Sequence, residues 1–254
     1  MNYRILFSIL TLFVFGITAC YSAMSPYQVS SDRKAGAGDL SSPERELAAF
    51  DAVNISGNFN TVIEPSDQSR ITINADQSEV ERVIAVVEDG TLYVEQEATG
   101  WFFNRTSEIE LRIETPRDLK GISLSGSNYA HVIRNPNLRS LNLSGSSEVL
   151  LDEIDTAFME ISASGASKIE GNGFADELAI RLSGSSRLDF EHLRSEIAGI
   201  RSSGGSRIVL HVNQELEVTS SGASSVYYAG SPEQVNTSSS GTSRVQPLEQ
   251  MSGR

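Results

Sequence analysis

The stretch Leu138-Arg139-Ser140-Leu141-Asn142-Leu143-Ser144-Gly145-Ser146-Ser147-Glu148-Val149-Leu150-Leu151 decides the fold. Apolar and polar residues alternate on both sides of Gly145, with Leu141 and Leu143 before it and Val149 and Leu151 after it. Period two marks a strand with one buried face, and the inward phase passes through the glycine without slipping. The unit therefore reads as a strand, a tight Ser-Gly bend and a second strand, followed by a variable turn such as Arg134–Asn137 or Gly171–Gly173.

The unit recurs. Gly126, Gly145, Gly165, Gly184, Gly204, Gly222 and Gly241 each follow a serine, at steps of 19, 20, 19, 20, 18 and 19 residues. With each glycine as zero, position −4 holds Ile122, Leu141, Ile161, Ile180, Ile200, Val218 and Thr237. Position +4 holds Ala130, Val149, Ile169, Leu188, Ile208, Val226 and Val245. Such a ring has no room for a ten-residue helix and cannot bury its apolar edge alone, so rings must stack. The expected fold is all-β, a parallel β-helix or β-solenoid with ~19-residue rungs spaced about 4.8 Å apart. Leu119-x-x-Ile122-x-Leu124 also fits the first half of a leucine-rich repeat, but the asparagine of that motif is missing and a second alternating strand replaces its irregular arc.

Stacking turns each position of the unit into a column. Position −1 is serine in all seven units, and position +2 is Asn128, Ser147, Ser167, Ser186, Ser206, Ser224 and Ser243. Ladders are expected there, each hydroxyl donating to one neighbour and accepting from the next. Glycine at zero allows the bend without a Cβ clash. A corner that needs small residues explains these columns without a ligand. Position −2 decays from leucine to Ser202, Ser220 and Ser239, so the last ring is weak and polar and ends at Pro247. That pattern discourages pairing with another chain; the alternative is a docking edge.

Two features are candidates for contact with a partner. Position +3 faces outward and holds Tyr129, Glu148, Lys168, Arg187, Arg207, Ser225 and Arg244. Lys168, Arg187 and Arg207 fall in consecutive rungs and, with Arg244, form a candidate cationic stripe for an anionic glycan. Adjacent like charges on a sheet need compensation, and Glu170 and Asp189, two residues further on, are placed to supply it. The second feature is Trp101-Phe102-Phe103. Three adjacent aromatics cannot all point inward from a strand, so they read as a cap of the coil or as a tip touching sugar or membrane.

Ahead of the repeats, residues 50–118 read as irregular rungs of the same coil. Strands are expected at Arg70–Ala75, Ile84–Glu88, Leu92–Glu97 and Glu108–Glu114, with a turn at Asp89-Gly90 and one helical turn at Glu79–Arg82. Residues 50–249 thus form one domain, and 250–254 a tail. Residues 1–19 hold one basic residue, Arg4, and an apolar run from Ile5 to Ile17, too short to cross a bilayer as a helix. They read as a lipoprotein signal peptide. Ile17-Thr18-Ala19-Cys20 resembles the bacterial lipobox, which implies lipidation at Cys20; Tyr21 in place of aspartate favours the outer membrane. Residues 20–49, rich in small and polar residues, form a flexible tether. Cys20 is the single cysteine, so no internal disulfide contributes to stability.

Phe50-x-x-Val53-x-Ile55-Ser56-Gly57-x-Phe59, then Val87–Val94, then Thr115-Pro116 followed by Leu119-Lys120-Gly121-Ile122-Ser123-Leu124-Ser125-Gly126-Ser127, resemble the bacterial head GIN domain family, labelled as an auto-transporter adhesin head. The resemblance spans about residues 50–247. It implies a right-handed parallel β-helix on a lipoprotein or secreted protein of Gram-negative bacteria, with no catalytic residues.

A search for chemistry adds little. His131, His192 and His211 lie at unrelated offsets and none sits at metal-ligand spacing with Cys, Asp or Glu, so no metal and no cofactor are expected. No Gly-x-Ser-x-Gly elbow precedes a helix. Asp152, Glu153 and Asp155, the dense acidic cluster of the repeats, are expected in a loop. A net charge of −13 argues against nucleic-acid binding. The function expected is a non-catalytic envelope lipoprotein, anchored in the membrane by lipid, that presents a β-helix surface as an adhesin or binding module to a glycan or a protein of the envelope or host. The alternatives are a structural or stress-signalling envelope protein without external ligand and, third, a polysaccharide-processing β-helix enzyme.

Overall fold

In the computed structural model the described residues are 42–97 and 109–251. The signal peptide, Cys20, most of the tether, Trp101-Phe102-Phe103 and residues 252–254 lie outside them. The described chain is a parallel β-solenoid of about seven turns, with 67% of the described residues in strands and 3% in helix.

The first rung is β2 (Ala52–Gly57) and β3 (Phe59–Pro65), which follow β1 (Glu44–Glu46). Next come β4 (Arg70–Asn74), the single turn α1 (Gln77–Val80), β5 (Val83–Glu88), β6 (Thr91–Gln96) and β7 (Ile109–Thr115). The regular repeats begin with β8 (Gly121–Gly126), β9 (Tyr129–Val132) and β10 (Ser140–Gly145). They continue through β11 (Glu148–Ala163), β12 (Lys168–Leu182), β13 (Arg187–Ser202) and β14 (Arg207–Ser220). The last are β15 (Ser225–Ala229), β16 (Gln234–Ser239) and β17 (Arg244–Pro247).

From β8 onward the rungs stack in sequence order and in register. Leu141 lies opposite Ile122 and Ile161, and Ile180 lies opposite Ile161 and Ile200. Every aliphatic residue at −4 and +4 is buried except Val245, which is half-buried on the final rung. The interior is thus the columns foreseen from the alternation.

The earlier part departs from simple rungs. β2 pairs in parallel with both β8 and β6, and β3 with both β9 and β7. The rung built from β6 and β7 therefore sits on the far side of the first rung from the repeats, although it follows that rung in sequence. The chain runs out along β4 and β5 and returns. Those strands lie antiparallel to β7 and β6 and close the end of the coil. Their apolar faces explain why: Ile71, Ile73, Val80 and Val83 are all buried, so they serve as a lid over the core. β1 adds antiparallel to β4, within the segment expected as tether. Its Arg45 is only 7% exposed and its guanidinium donates to Ser42 O, Val80 O and Val83 O at 3.0, 3.0 and 2.7 Å.

The variable turn of each unit also differs from expectation. In β11 to β14 the backbone stays in strand geometry for 14–16 residues, passing a bulge where a loop was expected. In-register neighbours keep the inter-rung hydrogen bonds alive around this side. Asp152, Glu153 and Asp155 therefore lie on the bulged strand β11 rather than in a loop, with Glu153 at φ +54°.

Candidate functional site

The Ser-Gly corner forms one edge of the solenoid. Each corner amide donates to the carbonyl of the equivalent corner one rung back, as in Ser185 N to Gly165 O at 2.8 Å. The serines at +2 from Ser147 to Ser224 are buried, but they do not make a hydroxyl ladder. Each closes its own corner instead: Ser167 Oγ donates to Ser164 O and Ser186 Oγ to Ser183 O, both at 3.2 Å. On the last rung Ser243 is half-buried and donates to Gly222 O at 3.4 Å. The carbonyl three residues back is nearer than the next rung's hydroxyl, about 4.8 Å away. Asn128 does the same for the first repeat and also accepts from Phe59 N, 3.2 Å away. Hydroxyl-to-hydroxyl contacts are the exception, at Ser125–Ser56 and Ser220–Ser239.

The position +3 residues form a continuous outward column, with Glu148 opposite Lys168, Lys168 opposite Arg187, Arg187 opposite Arg207 and Ser225 opposite Arg244. The cations are not equivalent. Lys168 Nζ is gripped by Glu148 of the previous rung at 2.7 Å and by Glu170 of its own strand at 2.8 Å. The hydrogen bonds to Glu148 and Glu170 hold its pKa well above the ordinary lysine value. Glu170 thus compensates its neighbour as foreseen. Asp189 instead accepts the N–H of Glu191 at 3.3 Å. Arg207 lies over the Tyr227 ring, one rung on, 4.7 Å from its centroid, a cation–π contact that leaves the side chain half-buried. Arg187 and Arg244 are exposed.

Sequence reasoning missed the other side of the corner. Position −3 brings Ser162, Arg181, Arg201 and Thr219 into one outward column by the same register. Arg181 is ion-paired with Glu160. Arg201 is exposed, and among the described residues neither Arg187 nor Arg201 has a carboxylate within ion-pair distance. Arg187, Arg201 and Arg207 thus flank the corners of two adjacent rungs. The signal was present in the repeat alignment, three places before each glycine rather than three after.

Elsewhere His131 Nε2 meets Asp152 Oδ2 at 2.6 Å across one rung, and Asn172 Nδ2 holds the other Asp152 oxygen at 2.8 Å. Among the described residues no group of three or more His, Cys, Asp or Glu could hold a metal ion. No described helix is long and apolar enough to cross a membrane.

Fold and surface together define a class: a parallel β-solenoid that presents flat, column-patterned faces to its surroundings. Residues 49–232 match the family described as "Putative auto-transporter adhesin, head GIN domain", and the chain belongs to it. No curated protein matches the sequence. Among solved structures it is similar to a "putative adhesin" from Bacteroides fragilis, with 19% identity and a TM-score of 0.71 over 81% of this chain and 95% of that one. It is similar also to a "putative lipid binding protein" from Parabacteroides distasonis, at 18% identity and a TM-score of 0.62 over 81% and 95% of the two chains. A "putative adhesin" from Parabacteroides merdae gives 18% and 0.61 over 81% and 94%.

Proposed function

We propose that this protein is a non-catalytic binding module of the cell envelope, an adhesin-type head that holds an anionic glycan against the corner of rungs β13 and β14. The observation that carries this reading is the cationic group of exposed Arg187 and Arg201 with half-buried Arg207 on adjacent rungs of a chain whose net charge is −13. A rung spacing of about 4.8 Å sets these charges at intervals a flexible polyanion can follow. Arginine forks suit sulfate and carboxylate groups, which they bind in bidentate fashion. The family description supports a surface role. The segment ending at Cys20 supports a lipid anchor and, with Tyr21, the outer membrane.

The test is retention of the full chain on a heparin column, heparin serving as a generic sulfated glycan. Replacing Arg187, Arg201 and Arg207 together by serine should abolish retention, while Arg194→Ser, on the side of the coil away from the corner, should leave it unchanged. Equal retention of the triple variant rejects the site. Protease shaving of intact cells checks display: cleavage without lysis supports an adhesin, and protection supports a periplasmic role.

A further inference from the structure

The two ends of the solenoid are finished differently. At the N-terminal end β4, β5 and α1 cover the core, and Arg45 ties β1 to the carbonyls of Val80 and Val83. At the other end β16 and β17 are the last strands, each paired on one side only among the described residues. The free edge of β17 is blunted. Arg244 donates its N–H inward to Ser224 O, so alternation turns position 247 outward, where Pro247 has no N–H to offer. Arg244 adds a charge to the same strand.

β16 carries none of these devices. Gln234–Ser239 contains no charge, proline or glycine, and all six residues are exposed. Val235, Thr237 and Ser239 hold the inward phase, yet nothing lies over them, and Val235 is 40% exposed. Ser240 N–H donates to Ser220 O, so alternation turns the N–H and C=O of Val235, Thr237 and Ser239 toward the open edge. Among the described residues nothing covers it: Leu248–Met251 form a 3-10 turn against β15 and β17, on the other face.

We propose that β16 pairs antiparallel with β16 of a second copy about a two-fold axis at Thr237, joining two solenoids end to end. The register follows from phase. Thr237 faces Thr237 and Val235 faces Ser239, which keeps inward residues opposite inward residues and places all three edge-facing backbones, Val235, Thr237 and Ser239, in hydrogen-bonded pairs. The Thr237 pair exchanges two backbone hydrogen bonds with its Cα atoms about 5.5 Å apart. Thr–Thr pairs are favourable across strands, and no charges are brought together. At the N-terminal end β5 is the last strand of this face, and its Val83 carbonyl is already taken by the Arg45 guanidinium; pairing β16 with its own copy makes the contact isologous, and it closes at two copies. Ten strands stack along this face, from β5 to β16, a length of roughly 45 Å. Because β1 lies at the end away from β16, the two β1 strands stand at opposite ends of the pair, a geometry that bridges two separate surfaces. One edge strand and the end of a core make a contact below the usual size of a stable interface, so association is concentration-dependent. This surface is separate from the arginine corner and stands or falls without it.

The test uses the full chain in detergent with Cys20→Ser, which removes the single native thiol. Thr237→Cys on this background should give a disulfide-linked dimer on a non-reducing gel, increasing with protein concentration, since about 5.5 Å between Cα atoms suits a disulfide. Thr219→Cys, outward on β14, should stay monomeric. Thr237→Pro removes an N–H that the β14–β16 ladder does not use, so the fold, checked by circular dichroism, should persist while sedimentation shows self-association weakened at least tenfold. A monomeric Thr237→Cys chain, as when another segment of the same chain covers β16, overturns the proposal. So does cross-linking no greater than at Thr219, or a dimer fraction unchanged by Thr237→Pro.

Discussion

A single corner residue carries two separate constraints. Gly184 has φ +81°, and a Cβ placed on it would lie 2.5 Å from the carbonyl oxygen of Gly165 below. The second constraint comes from stacking: each corner packs its backbone directly on the previous one. Gly199 is the contrast. It lies in β13, and a Cβ there would come no nearer than 4.0 Å to Leu178 O. Gly184→Ala should lower unfolding stability by about 2–4 kcal/mol, from strain in φ and the backbone clash together. Gly199→Ala should change it by less than about 0.5 kcal/mol or raise it slightly. Urea denaturation of both variants makes the comparison.

Lys168 gives a pH prediction at the same scale. Its folded-state pKa is raised by Glu148 and Glu170. A raised lysine contributes its full stabilisation below the unfolded value, near about 10.4, and loses it as pH climbs from there through the folded value. The stability deficit of Lys168→Met should therefore be flat from neutral to mildly alkaline pH and shrink above the ordinary lysine range, as measured by denaturation at several pH values. A deficit that shrank already near neutrality would contradict the ion pairs.

At the scale of the element, β1 shows how one side chain can hold a strand. Three residues of edge strand have little to pack, but the Arg45 guanidinium satisfies carbonyls at the ends of α1 and at β5 that would otherwise be buried without donors. Arg45→Ala should cost about 2–4 kcal/mol, because charge-assisted bonds are lost and the carbonyls are left unpaired. Hydrogen exchange should then rise in β1 and β4 and stay unchanged in β12. Core columns show a related trade across rungs. Gly171 lies beneath Phe190, whose ring edge would be 2.9 Å from an added Cβ, so a missing side chain in one rung makes room for a large one in the next. Gly171→Ala should destabilise by about 1–3 kcal/mol through overpacking.

Across the whole molecule stability is one-dimensional. Each rung rests on its two neighbours, so local opening should start where a neighbour is missing. β11, β12 and β13 each have neighbours on both sides, whereas β16 has one and exposes all its residues. Amides of β12 should exchange at least a hundredfold more slowly than those of β16, measured by hydrogen exchange with mass spectrometry. Equal rates would mean that the last rung is covered in solution.

The regular rungs were legible because one period repeats: a 19-residue step with unbroken inward phase leaves only in-register stacking, and the burial of Leu143, Ile161 and Leu188 follows from it. The strand segments between 70 and 115 were legible for the same local reason, as was the outward column of Lys168, Arg187 and Arg207. Their pairing was not. Alternation says which side of a strand is buried but not which strand lies next to it, so the out-of-order rung of β6 and β7 and the antiparallel lid emerged only in three dimensions. The fate of each polar group was likewise decided by distance. Lys168 is neutralised while Arg187 stays open, Arg201 joins it across the corner, and the buried serines turn to their own carbonyls rather than to each other. Periodicity is a property of neighbours along the chain; partners are chosen among atoms that only folding brings within about 3 Å.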